Sequence, residues 1–274
     1  MTSPFILMCA PNGARKSRAD HPALPISPRE LADCAESVLE AGASILHVHV
    51  RDDAGGHSLD VDRYRQAMSA INERVGDEII VQVTTESCGI YSRDAQMRLV
   101  RELVPDAVSV ALREICPDDR AEEDAAGFYA WMHEAGIMAQ HILYSAAELQ
   151  RFEALRQRGL IPGEMPFLLL VLGRYTSDLT GDPSELGAFL DELPQAGCQW
   201  AVCCFGKTES EAARLAAVQG GHARVGFENN LWLPDGRVAD DNAALVRIAA
   251  AMARDAGRPP ASAGQVRELF RQPG

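Results

Sequence analysis

Eight short apolar runs alternate with eight longer amphipathic stretches, at 5–10, 45–50, 79–84, 107–111, 137–143, 167–172, 199–204 and 223–227, and this rhythm constrains the fold most. Runs of this length and β-branched content suit strands covered on both faces, and parallel strands need a crossover element between them. Helical patterns fill the gaps near 27–41, 60–74, 93–103, 121–135, 146–158, 183–193, 209–219 and 240–255. The first opens Ser27-Pro28-Arg29-Glu30, an N-cap, a first-turn proline and an acidic residue in the favoured order, and closes on Gly42. Eight βα units predict a (β/α)₈ TIM barrel, with a doubly wound sheet as the competitor because it usually has fewer strands. The 274 residues suit one such domain, with a C-terminal extension from about 256 carrying a short helix around 264–271.

A formal net charge of −13 argues against general nucleic-acid binding, which needs clustered cations to neutralise phosphates. It leaves room for a local patch of arginines that meets a small anion. The apolar N-terminal run ends at Pro11-Asn12-Gly13, too early for a signal peptide or membrane span, so a cytoplasmic protein with no membrane partner is expected. Seven cysteines without a C-x-x-C pair read as free thiols.

In such barrels chemistry gathers where strands end at the C-terminal face. Asn12 and Arg15 follow the first run, His47, His49 and Arg51 the second, and Thr84, Thr85 and Glu86 the third. Ser109, Arg113 and Glu114 mark the fourth, His141 the fifth, Gly173-Arg174-Tyr175 the sixth, Gly206-Lys207 the seventh, and Arg224, Glu228 and Asn229 the eighth. The glycine-containing turns at 173 and 206 could serve a phosphate or simply the turn. Adjacent Cys203 and Cys204 face opposite ways in a strand and read as core.

His47-Val48-His49 is the sharpest element, since a period of two sends both imidazoles to one face. Burying two imidazoles together without a metal would need several convenient partners. Neutral imidazole suits zinc, and a catalytic zinc generally takes three protein ligands. Glu228, Glu86, Glu114 and His141 are the candidates for the third.

Ala10-Pro11-Asn12-Gly13-Ala14, His47-Val48-His49-Val50-Arg51-Asp52 and Arg224-Val225-Gly226-Phe227-Glu228 together resemble the β-keto acid cleavage enzymes, the family of 3-keto-5-aminohexanoate cleavage. The resemblance covers nearly the whole chain. It implies a zinc-dependent barrel, commonly a homotetramer, that exchanges acyl groups between a β-keto acid and acetyl-CoA to give acetoacetate and a new CoA thioester. Carried over by position, it makes His47, His49 and Glu228 the Zn²⁺ ligands, Arg224 the catalytic arginine, and Thr84 or Thr85 the site hydroxyl. Glu86 and Asn229 complete the catalytic candidates, with Asn12, Arg15, Ser109, Arg113, Glu114 and His141 as substrate-binding ones.

Two positions depart from the family pattern. Asn229 stands where the family often has an aspartate engaged in proton transfer, and an amide cannot act as general base. Glu86, Glu114 and His141 are then the candidate bases. Arg15 stands where the family usually has glutamate, which points to an additional anionic group on the substrate, met by Arg15 or Arg113. A metal-dependent aldolase or hydrolase, and a non-catalytic metabolite-binding barrel, are the other readings open to the sequence.

Overall fold

A computed structural model describes residues 3–194 and 197–271. Strands β1 (Leu7–Cys9), β2 (Ile45–Val48), β3 (Ile80–Thr84), β4 (Ala107–Ala111), β5 (Met138–Leu143), β6 (Phe167–Leu172), β7 (Gln199–Cys204) and β8 (His222–Val225) pair in parallel and close into a barrel. Closure sets β1 between its neighbours: Cys9 is in register with Val225 of β8 and Leu46 of β2. Helices α1 (Pro28–Ala41), α2 (Val61–Val75), α3 (Arg93–Leu103), α4 (Glu122–Glu134), α5 (Ala146–Gln157), α6 (Leu186–Leu190), α7 (Glu209–Val218) and α8 (Asn242–Asp255) alternate with the strands. At α1 the expected cap forms, Ser27 and Glu30 satisfying each other's backbone N–H groups. Among the described residues no helix is long and apolar enough to cross a membrane.

Strand alternation sorts the apolar side chains into two layers. Met8, Ile45, Ile80, Phe167, Leu169, Val171, Ala201 and Cys203 fill the barrel interior. Leu46, Val48, Val83, Val108, Leu168, Leu170, Val202 and Cys204 face the helices. The adjacent cysteines therefore do point apart, and all seven are free. Helix α9 (Ala263–Phe270) lies across the N-terminal end, where Val266 joins the interior cluster and Phe270 packs on Phe167 at 4.9 Å between ring centres.

Two expectations need correction in detail. The second run is not one strand through residue 50: β2 stops at Val48, and Val50–Arg51 pairs antiparallel with His57–Ser58 in a small hairpin above the barrel rim. The helix expected at 183–193 is a 3₁₀ turn, Pro183–Glu185, followed by the short α6.

Candidate metal centre and barrel mouth

His47 projects inward from β2, His49 follows one residue beyond it, and Glu228 lies past β8 across the intervening β1. The two Nε2 atoms are 3.1 Å apart, and Glu228 Oε2 lies 3.6 Å from that of His47 and 3.4 Å from that of His49. These three side chains could hold a metal ion, all ligand atoms lying within 4.8 Å of one another. Two observations fit a cation there. Glu228 Oε2 is buried without a hydrogen-bond partner. His47 Nδ1 meets Gln82 Oε1 at 2.8 Å, which requires the proton on Nδ1 and leaves the Nε2 lone pair turned toward the cluster.

The sequence builds this convergence through close backbone contacts. Gly13 has φ +61°, and a Cβ there would stand 2.6 Å from Glu228 Cγ, so only glycine lets the glutamate cross β1. Asn12 Nδ2 donates to His49 O at 2.9 Å and Pro25 O at 3.0 Å, tying that backbone to the second histidine. Gly226, at φ +130°, would drive a Cβ to 2.6 Å from Ala10 O. Glu228 N donates to Ala10 O at 3.0 Å and Phe227 N to Asn242 Oδ1 at 2.8 Å, which hold the turn after β8.

Burial alone would raise the Glu228 carboxyl, but Arg224 and the histidines outweigh it and hold it well below the usual carboxylate range. Burial and the Arg224 charge push His47 well below the ordinary histidine value, so it is neutral, as a ligand must be. Arg224 opposes burial through the facing Glu228, keeping its charge. Its Nη2 lies 3.3 Å from Glu228 Oε1, while Nε and Nη1 are buried without partners.

The mouth is lined by His47, Thr84, Thr85, Glu86, Glu114, Arg174, Arg224 and Glu228, together with Tyr144, Ile142, Val171 and Phe205. Thr84 Oγ1 accepts from Glu86 N at 3.0 Å, and Thr85 Oγ1 donates to Ser109 O at 3.0 Å. Ser109 Oγ is buried without a partner. Glu86 Oε1 is shared by Arg15 at 2.8 Å and Arg174 at 3.2 Å. Glu114 accepts from Ser87 N and Oγ at 3.1 and 2.7 Å, and burial raises its carboxyl pKa.

Three predicted residues do not line the mouth. His141 alternates with inward-facing Gln140 and Ile142 and so points to the helices, packed on Phe152 and Tyr129 at 4.8 and 5.5 Å between ring centres. It neither joins the metal cluster nor lines the mouth. Arg113 is committed to Glu148 at 2.6 Å and stacked on Tyr144 and Tyr175. Asn229 is buried behind the mouth, donating to Arg224 O at 3.0 Å. The turn glycines serve packing: a Cβ at Gly173 would overlap Gly181 N at 2.2 Å, and Gly206 N donates to Asn229 O at 3.1 Å.

Sequence reasoning missed Gln82, Tyr144 and Glu209. Gln82 was legible, lying two residues before Thr84 and therefore on the same face of β3. Glu209 gave no such sign: it opens α7 yet is only 3 % exposed, and its pKa is pushed up to about 8 by burial.

The beta-keto acid cleavage enzyme family model matches residues 4–271. A 3-keto-5-aminohexanoate cleavage enzyme of Fusobacterium nucleatum is 30 % identical, over 98 % of this chain and 98 % of its own. A 3-oxoadipate:acetyl-CoA acetyltransferase of Cupriavidus necator is 28 % identical, over 100 % of this chain and 96 % of its own. Among solved structures, apo ObcA superposes with a TM-score of 0.72 at 16 % identity, over 91 % of this chain, which spans 65 % of that longer one. The match from end to end, with the histidine pair and glutamate meeting in space, leads to one conclusion: this chain belongs to the beta-keto acid cleavage enzyme family.

Proposed function

We propose that this chain is a zinc-dependent enzyme that exchanges acyl groups between a β-keto acid and acetyl-CoA, releasing acetoacetate and a new CoA thioester. The observation that carries it is the convergence of His47, His49 and Glu228 beside a buried, partly unpartnered Arg224, in a chain of this family. Those three residues would hold Zn²⁺, which as a Lewis acid would stabilise enolate charge on the keto acid. Arg224 offers Nε and Nη1 to an oxygen of the substrate, in a site where burial strengthens the contact. Of the two carboxylates left at the mouth as base, Glu86 is engaged by Arg15 and Arg174, whereas burial raises the Glu114 carboxyl and Ser87 fixes its direction, so Glu114 is the base. Loss of the C2 proton lets C2 attack the acetyl carbon and expel CoA thiolate. The thiolate then takes the acyl group as the old C2–C3 bond breaks, the electron pair stays on C2, and the proton held by Glu114 returns there, so C2 with its carboxylate and new acetyl group leaves as acetoacetate.

Arg15 and Arg174 face one carboxylate, Glu86, which leaves one positive charge over at the rim. Arg113 is neutralised by Glu148, so the first two are the residues that would meet a second anionic group on the β-keto acid. A homotetramer is the accompanying proposal from the family resemblance, and a cytoplasmic location is proposed with it.

Purified protein is assayed for bound metal and for acetoacetate formed from acetyl-CoA with anionic, neutral and cationic β-keto acids. Zinc near one per chain and turnover of a dicarboxylic β-keto acid are expected. Metal-loaded protein that turns over none of the acids overturns the reaction; preference for a cationic acid overturns only the rim assignment.

A further inference from the structure

Resting on the metal reading above, we propose that Glu209 is a positioning residue that works as a pair with Asn229 to hold the Gly226–Asn230 turn, and with it the Glu228 carboxylate, against the two histidines. Glu209 Oε1 accepts from Gly226 N–H at 3.1 Å and from Asn229 Nδ2 at 3.4 Å, while Oε2 accepts from Asn230 Nδ2 at 3.3 Å. Three donors of one short turn thus meet a single buried carboxyl. Glu228 lies between those donors in sequence, and its side chain leaves the turn toward His47 and His49. Lys16 Nζ holds the same residue by donating to Glu228 O at 2.6 Å. Glu228 is therefore held through the residues flanking it and through its own carbonyl, which leaves its carboxylate for the histidines and Arg224.

The pair also explains why an amide occupies position 229. Asn229 Nδ2 donates to both Arg224 O and Glu209, and its Oδ1 accepts from Cys203 Sγ at 3.2 Å. An aspartate there would lose both donated bonds, to Arg224 O and to Glu209, in a site closed to water. A carboxyl at 209 calls for an amide at 229, and an amide at 209 would accept a carboxylate at 229. Neither side chain lines the mouth.

The test is a cycle of Glu209→Gln, Asn229→Asp and the double variant, read by zinc affinity in chelator competition and by thermal midpoint without metal. Each single change is expected to weaken zinc binding by about tenfold or more. The double variant should bind more tightly than either single, because the amide introduced at position 209 can donate to the carboxylate introduced at position 229. Zinc affinity that stays within about twofold of wild type in Glu209→Gln while its midpoint falls would make Glu209 structural only, and overturn the proposal. So would single effects that simply multiply in the double variant. If the wild type itself takes up no zinc, the metal reading fails, and the midpoints alone judge the pair: additive losses overturn it.

Discussion

The two ends of the barrel interior use the same residue types to opposite effect. At the N-terminal end His222 Nδ1 accepts from Ile6 N–H at 3.0 Å, and its Nε2 meets Gln199 Oε1 at 2.9 Å. Nearby Arg258 donates to Ser3 O, Ala217 O and Gly221 O, and the helix α9 closes that end. At the C-terminal end His49 Nδ1, Glu228 Oε2 and two nitrogens of Arg224 are buried with no hydrogen-bond partner among the described residues. Leaving such groups unmatched costs roughly 1–3 kcal/mol each, so polar residues at the mouth are held for something other than stability. His222 and Arg224 stand two residues apart on β8, on the same face, which makes the contrast one of position along the barrel.

The largest expected effect is at the open end. His47→Ala should abolish zinc uptake and lower acyl exchange by at least about a hundredfold, with metal analysis and acetoacetate release as the readouts. Retention of zinc and activity would break the comparison at its centre. At the closed end, His222→Ala should cost about 3 kcal/mol by stranding the Ile6 N–H and Gln199, measured by urea unfolding, and leave zinc stoichiometry at the wild-type value. A loss of zinc in that variant would show that the two ends are not independent.

A smaller effect extends the contrast to the helix-facing layer. Burial lowers His141 to about 3, below its unfolded value of roughly 6.5. The folded state therefore binds fewer protons than the unfolded one between those values. Its contribution is complete above about pH 6.5 and is lost as pH falls toward 3. His141→Phe, which keeps the ring between Tyr129 and Phe152, should remove roughly 2 kcal/mol of the wild-type stability loss between pH 7 and pH 5. Identical acid limbs in the two proteins would sink this assignment, and a fall in activity at pH 7 would return His141 to the site.

What could be read from the sequence followed local rules. Alternating runs marked the strands, Ser27-Pro28 and Gly42 framed α1, and the His47–His49 spacing put two imidazoles on one face. His141 lies near a strand end but out of phase with the mouth: counting from the inward Gln140 turns it toward the helices. The hairpin of Val50–Arg51 with His57–Ser58 is signalled by Asp52-Asp53-Ala54-Gly55-Gly56, a turn sequence between two short runs. Glu209 could not be found this way, since its burial depends on a turn that arrives after β8.

The sequence by itself determined the eightfold βα alternation, the histidine pair and the family, because period, capping and short motifs act over a few residues. Tertiary structure alone decided that Glu228 passes Gly13 to reach those histidines, that Glu86 is shared by Arg15 and Arg174, and that Glu209 stands behind Asn229. Each of these joins residues far apart in the chain, and barrel closure fixes their distances through register and packing that no local pattern records.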